Sequence, residues 1–168
     1  FDPYAGFAAL LAHTDAPFAG FLRHGDHYAL CASPERFLNL EGRRVITQPI
    51  KGTRPRHVDP SIDRALAEEL AVDVKENSEH VMAVDVALND LGRIAVQSSV
   101  KVEELRAVKS YATVHQMVST VAAQLRPDVS PDDLLRATFP MASMTGAPKV
   151  RAMEIIDDLQ PASRGPYA

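Results

Sequence analysis

The sequence predicts an α+β domain in which antiparallel strands carry added helices, and three observations lead there. Between residues 18 and 48, short apolar runs alternate with the turn dipeptides Gly25-Asp26 and Glu41-Gly42, the pattern of a β-meander. From Asp59 to about residue 91 the composition is helical, and Val81, Val84, Leu88 and Leu91 recur at spacings of 3, 4 and 3, so one stripe is expected to face a core. From 96 to 125 the chain returns to runs rich in Val and Thr, which favour strands.

The elements follow in order. Residues 1–16 are mixed and support only a short helix around 5–13. Strands are expected over 18–23, 28–31, 37–40 and 45–48. The meander is expected to end at Pro49-Ile50-Lys51-Gly52-Thr53-Arg54-Pro55-Arg56, because two prolines and a glycine disfavour a continuing central strand. Asp59-Pro60-Ser61 sets a capping side chain beside a proline suited to a first turn. The helix it opens is expected to break near 72–74 and to end at Gly92. Strands should then cover 96–102, 105–108 and 114–125. Ser130-Pro131-Asp132-Asp133 has cap, proline and acidic first turn in the order that opens a short helix. A last helix over 147–159 is expected to bury Ala152, Ile155, Ile156 and Leu159.

Composition narrows the function. With 168 residues, 46% hydrophobic and 24% charged, the chain suits one packed domain or a large piece of one. Lys plus Arg total 18 against 22 Asp plus Glu, a net charge of -4 with neither sign gathered in a run, which argues against phosphate-driven nucleic-acid binding. The single Cys31 cannot form an internal disulfide, and Cys and His show no zinc spacing, so the cytosol is the expected compartment. No apolar stretch approaches the roughly 20 residues of a membrane helix. The start at Phe1 and the stop at Ala168 after Pro166-Tyr167 suggest a piece truncated at both ends.

Several segments offer chemistry. Lys51 at a strand exit, followed by Gly52 and Thr53, suits a cleft with close backbone approach, where a partly desolvated amine is a nucleophile. A solvated loop lysine is the commoner reading by composition alone. Arg54 and Arg56 suit either an anion or a charged rim. Glu35 lies 16 residues before Lys51 in the same meander, so hairpin pairing can bring an acid beside an amine, although an exposed ion pair is the commoner origin of such a Glu. Glu76 and Glu79 are one helical turn apart at the border of the apolar stripe, suited to Mg²⁺ with water and substrate oxygens or simply to a solvated face. Thr145-Gly146-Ala147-Pro148-Lys149 opens the last helix, where free backbone N–H groups bind a carboxylate or merely form a cap. His115 reads as a core or surface histidine, and Met141, Met144 and Met153 as packing residues.

Taken in order, these segments resemble the chorismate-utilising enzymes, the family of anthranilate, aminodeoxychorismate, isochorismate and salicylate synthases. The resemblance spans essentially the whole chain. It is carried by Ser33-Pro34-Glu35-Arg36-Phe37, by residues 49–56, by Glu79-His80 with Met82 and Val84-Asp85, by Asn89-Asp90-Leu91-Gly92-Arg93, and by Thr145 through Ile156. It implies part of the fold of the anthranilate synthase chorismate-binding component. Where most relatives carry Ala in Pro-Ile-Ala-Gly-Thr, this chain has Lys51, which looks like the aminodeoxychorismate synthase branch that serves para-aminobenzoate and folate synthesis. The resemblance implies Lys51 as nucleophile and Glu35 as general acid. It implies Glu79 as an Mg²⁺ ligand with Glu76 as its water-bridged partner, and Gly52, Thr53, Thr145 and Gly146 as substrate-carboxylate binders. It also implies chorismate as substrate and a glutamine amidotransferase partner that supplies ammonia.

Three positions depart from the family pattern: Leu88 replaces an arginine, Gln116 a histidine with His115 beside it, and Met141-Ala142 a Gly-rich pair. No role is carried over to Leu88 or Gln116. Family chains are longer and bring further Mg²⁺ glutamates and substrate ligands downstream, so the piece alone is expected to be inactive and to fold poorly or aggregate. The rival expectations are an anthranilate synthase chorismate-binding component and a non-catalytic truncated copy.

Overall fold

The computed structural model describes residues 1–164; Gly165 to Ala168 lie outside the described residues. Two units are present, Phe1–Arg36 and the chain from Phe37 onward. In the first, α1 (Pro3–Ala12) starts where an Asp2 carboxylate oxygen accepts the Tyr4 N–H at 2.9 Å. Strands β1 (Phe18–His24) and β2 (His27–Ser33) form an antiparallel hairpin around Gly25-Asp26. The rings of Tyr4 and Phe7 on α1 lie 5.9 and 5.6 Å from Phe21 on β1, so an aromatic cluster joins helix and hairpin.

The second unit is organised by one strand. Here β3 (Arg36–Glu41), β4 (Arg44–Gln48), β5 (Ile50–Pro55), β6 (Lys101–Ser110) and β7 (Val114–Gln124) form a sheet in which β7 pairs with β4, β5 and β6. β4 pairs with β7 from Val121 to Gln124 and β5 from Val114 to Val118, whereas β6 covers His115 to Ala122. Because β6 shares residues with both, it occupies the opposite edge of β7. Every residue from His115 to Ala123 is buried, as a strand paired on both edges and covered by helices requires.

The expected end of the meander at residues 49–56 is corrected: the chain turns a corner and keeps pairing along β7. Pro49 is buried at the corner and its carbonyl accepts the Ser119 N–H at 3.2 Å. Gly52 sits in a bulge, Pro55 is the last residue, and β5 ends the order β3-β4-β7-β5, so the missing proline N–H groups interrupt no interior ladder. The expected strand over 96–102 begins instead at Lys101, because Val96 and Ser99 close a turn against the Gln124 carbonyl.

Helices α2 (Pro60–Val72) and α3 (Val74–Gly92) meet at the expected break, where Asp73 ends one and caps the other. Its carboxylate accepts the Glu76 N–H at 2.9 Å and Arg54 Nη2 at 2.8 Å, and these two donors hold the acid below the usual carboxylate range. The buried face of α3 is His80, Ala83, Val84, Val86, Asp90 and Leu91. Val81, expected in that stripe, is 46% exposed, and Leu88 is only partly buried. The face is rotated because His80 takes the inward position opposite Ser119. Val84 and Leu91 join Val45, Val121, Ala123 and Leu134 in the core.

α4 (Pro131–Thr138) has the full capping box of Ser130 and Asp133. α5 (Ala142–Thr145) is one turn, and α6 (Lys149–Leu159) closes the described fold. The expected burial of Ile155 and Leu159 is corrected: they are 42% and 78% exposed. Helical spacing groups apolar residues on one face, but only a packed neighbour buries them, and α6 buries none among the described residues. No helix of the described residues is long and apolar enough to cross a membrane.

Candidate active site

Lys51 owes its place to a β-bulge. Ile50 pairs with Val118 and Thr53 with Gln116, so three steps on β5 match two on β7 and one residue is extra. Gly52 absorbs the distortion at φ +87°, and a Cβ there would stand 3.0 Å from Leu70 Cδ1 and 3.3 Å from a Glu76 oxygen. Only glycine lets β5 come this close to α2 and α3 with a left-handed residue.

The bulge places Lys51 at a cleft of about 140 Å³ lined also by Glu79, Met82, Ala83, Gly146 and Ala147. Glu79, Met82 and Ala83 fall at i, i+3 and i+4 and so share one side of α3. A volume of 140 Å³ is below the roughly 300 Å³ that encloses a small ligand, so these residues form part of a wall. Gly146 and Ala147 are brought in by an internal clamp. Lys149 Nζ, at the start of α6, binds the Asp90 carboxylate of α3 and donates to the Thr138 carbonyl at 3.0 Å. Burial pushes the Asp90 carboxyl up, and the Lys149 ammonium opposes that shift.

The other sequence-derived residues are distributed as follows. The Glu79 side chain is 47% exposed with Lys75 at 3.8 Å, leaving its carboxylate accessible at the cleft. Glu76 faces Arg54 Nη1 at 3.8 Å and the Gly52 backbone instead. Thr53 is exposed opposite Gln116 on β7. Thr145 is parted from Gly146: it lines a groove of about 590 Å³ under α6, with Val150, Met153 and Ile156. Glu35 lies in the N-terminal unit, in a turn where its N–H donates to Ser33 Oγ at 3.2 Å and the Ser33 hydroxyl donates to its carbonyl at 3.1 Å. Among the described residues no three His, Cys, Asp or Glu side chains converge as a metal site.

The arginines beside Lys51 are committed to structure. Arg54 bridges Glu69 and Asp73 at 2.9 and 2.8 Å, and Arg56 pairs with Asp63 at 2.9 Å. Asp63 also accepts the His57 N–H at 2.8 Å and lies 2.9 Å from His115 Nε2, and Arg56 first among these partners holds its carboxyl far below the usual range. His115 Nδ1 lies 2.8 Å from Ser110 Oγ. Ser110, His115 and Asp63 have the residue types of a hydrolytic triad, but the carboxylate is already saturated by Arg56 and His57, so the chain is a brace from α2 to β6 and β7.

Sequence reasoning missed Met82 and Ala83 in the cleft wall and gave no role to His80. The signal for His80 was its spacing: 80, 84, 87 and 91 continue one helical face.

The bulged edge strand β5 and one side of α3 thus set Lys51 and Glu79 on the wall of one cleft. Residues 1–168 match the chorismate binding enzyme family, and the chain belongs to it. It is 49% identical to aminodeoxychorismate synthase component 1 of Salmonella typhimurium over 99% of its own length and 37% of that protein. It is 47% identical to anthranilate synthase component 1 of Thermus thermophilus, over 98% of its length and 36% of that protein. The crystal structure of anthranilate synthase component I from Streptococcus pneumoniae superposes with a TM-score of 0.86 at 35% identity, covering 99% of this chain and 36% of that one. The chain thus spans a little over a third of the length of these relatives.

Proposed function

We propose that this chain carries the nucleophile and part of the cleft of an aminodeoxychorismate synthase, acting in the cytosol in para-aminobenzoate and folate synthesis. The observation that supports it most is Lys51, which the bulge sets at the cleft with Glu79. In this reading Lys51 Nζ attacks C2 of chorismate, the ring double bonds shift, and the C4–O bond breaks, the hydroxyl leaving as water on a proton from Glu35. Ammonia from a glutamine amidotransferase partner adds at C4, the double bonds shift back, and the C2–N bond breaks to free Lys51. The surplus proton of the ammonia returns to Glu35, leaving 4-amino-4-deoxychorismate.

The substrate carboxylates are held in this reading by Gly52, Thr53, Thr145 and Gly146, of which Gly146 lines the cleft. Glu79, an accessible carboxylate, would hold Mg²⁺ together with water and substrate oxygens, and the ion would supply positive charge against the ring carboxylate. Glu76, whose carboxylate faces Arg54, would reach such an ion through water.

A second reading, anthranilate synthase, is favoured by the 47% identity to the Thermus thermophilus relative and opposed by Lys51. The whole protein is supplied with chorismate, ammonium and Mg²⁺. The expected product is 4-amino-4-deoxychorismate, with Lys51→Ala slower by about 10³-fold or more. Anthranilate as product would overturn the proposal.

A further inference from the structure

His80 has no exposed surface, and the proposed chemistry does not use it. Its Nε2 lies 2.6 Å from Ser119 Oγ in the middle of β7. The same Oγ accepts the Arg106 main-chain N–H at 2.9 Å, while the Ser119 N–H donates to the Pro49 carbonyl at 3.2 Å. Ser119 therefore ties β7 to the entry of β5 and to β6, where Arg106 has φ +54°. Both of those strands are irregular at this level: β5 slips register between Ile50 and Thr53, and β6 between Glu104 and Ala107. Main-chain groups freed from a ladder need other partners.

Ser119 Oγ accepts from Arg106, and its single hydroxyl proton is available to His80 Nε2. In the tautomer that takes this proton at Nε2, the ring's own proton sits on Nδ1. No group in the described residues meets Nδ1 with full hydrogen-bond geometry, and the Lys51 main-chain carbonyl is the neighbour that favours a proton on the ring.

We propose that His80 is a positioning residue for the nucleophile-bearing bulge: an imidazole braced on Ser119, with its Nδ1–H directed at the Lys51 carbonyl, which fixes the backbone that aims the Lys51 side chain into the cleft. Its catalytic consequence rests on the reading of Lys51 as nucleophile; its structural content does not.

The first test needs no variant. In the ¹⁵N spectrum of the whole protein, His80 is expected to show a protonated Nδ1 and a bare Nε2; the opposite tautomer overturns the proposal. The second is hydrogen exchange. In His80→Ala and Ser119→Ala, the amides of residues 51–53 and 106 are expected to exchange about tenfold faster, as for one lost buried hydrogen bond, with the β4–β7 ladder unchanged. The kcat is expected to fall about tenfold with KM nearly constant, and His80→Asn, which keeps an N–H donor, should restore protection. Unchanged exchange at the bulge in both variants overturns the proposal. Faster exchange there with a fully active Lys51→Ala enzyme supports the positioning role and overturns the nucleophile reading instead.

Discussion

Replacing Gly52 with alanine perturbs the bulge directly, and its cost can be worked from the structure. An L-residue held at φ +87° costs about 1–2 kcal/mol. The new methyl would also stand 3.0 Å from Leu70 Cδ1 and 3.2 Å from Glu76 Cβ. Leu70 has no exposed surface to move into, and Glu76 is held beside Arg54, so overpacking adds about 1–2 kcal/mol. The sum is about 2–4 kcal/mol, or a urea midpoint lower by about 1–2 M at a slope of about 2 kcal/mol per M. Gly42→Ala is the internal control: its φ is +61° but nothing lies within 4 Å of the added Cβ, so only the conformational cost remains, about 1 kcal/mol. Urea unfolding followed by circular dichroism compares the two. A Gly52→Ala protein no less stable than Gly42→Ala would refute the close-packing account of the bulge.

Three further outcomes follow from the ion pairs and caps. Asp63 has its folded pKa depressed by Arg56, the His57 N–H and His115, so its stabilisation is complete above the ordinary carboxylate value of 3.8 and is lost as pH falls below it. Asp63→Asn should lower the urea midpoint at pH 7 and flatten the acid limb of the stability profile; an unchanged limb would contradict the brace. Lys149→Ala strands the enclosed Asp90 carboxylate and should cost about 3 kcal/mol by calorimetry, whereas the double variant with Asp90→Asn should recover part of that loss. Ser130→Ala removes the cap of α4 and should cost about 1 kcal/mol in the same assay.

Local signals were legible wherever one short segment decides the outcome. Asp59-Pro60, Ser130-Pro131 and the break at Asp73 were readable because a cap is a bond between neighbours in sequence. The strand at residues 50–55 was not, because proline and glycine argue against a central strand, and only pairing with β7 shows that β5 runs at an edge with a bulge. Val81, expected inward, is exposed and His80 takes the inward position for a similar reason. Hydropathy ranks valine as the inward residue, and the Ser119 hydroxyl 39 positions away makes the histidine inward instead.

For this protein, the order of its motifs determined the family, and the lysine at position 51 determined which chemistry to test. The tertiary structure decided which motif residues share a surface. It placed Lys51, Glu79 and Gly146 on one cleft and turned Thr145 to the groove under α6. It also committed Arg54 and Arg56 to ion pairs rather than to an anion. The physical reason is range: caps and periodicity act within a few residues, whereas a bulge, a buried imidazole and a clamped helix start exist only once distant segments exclude water together.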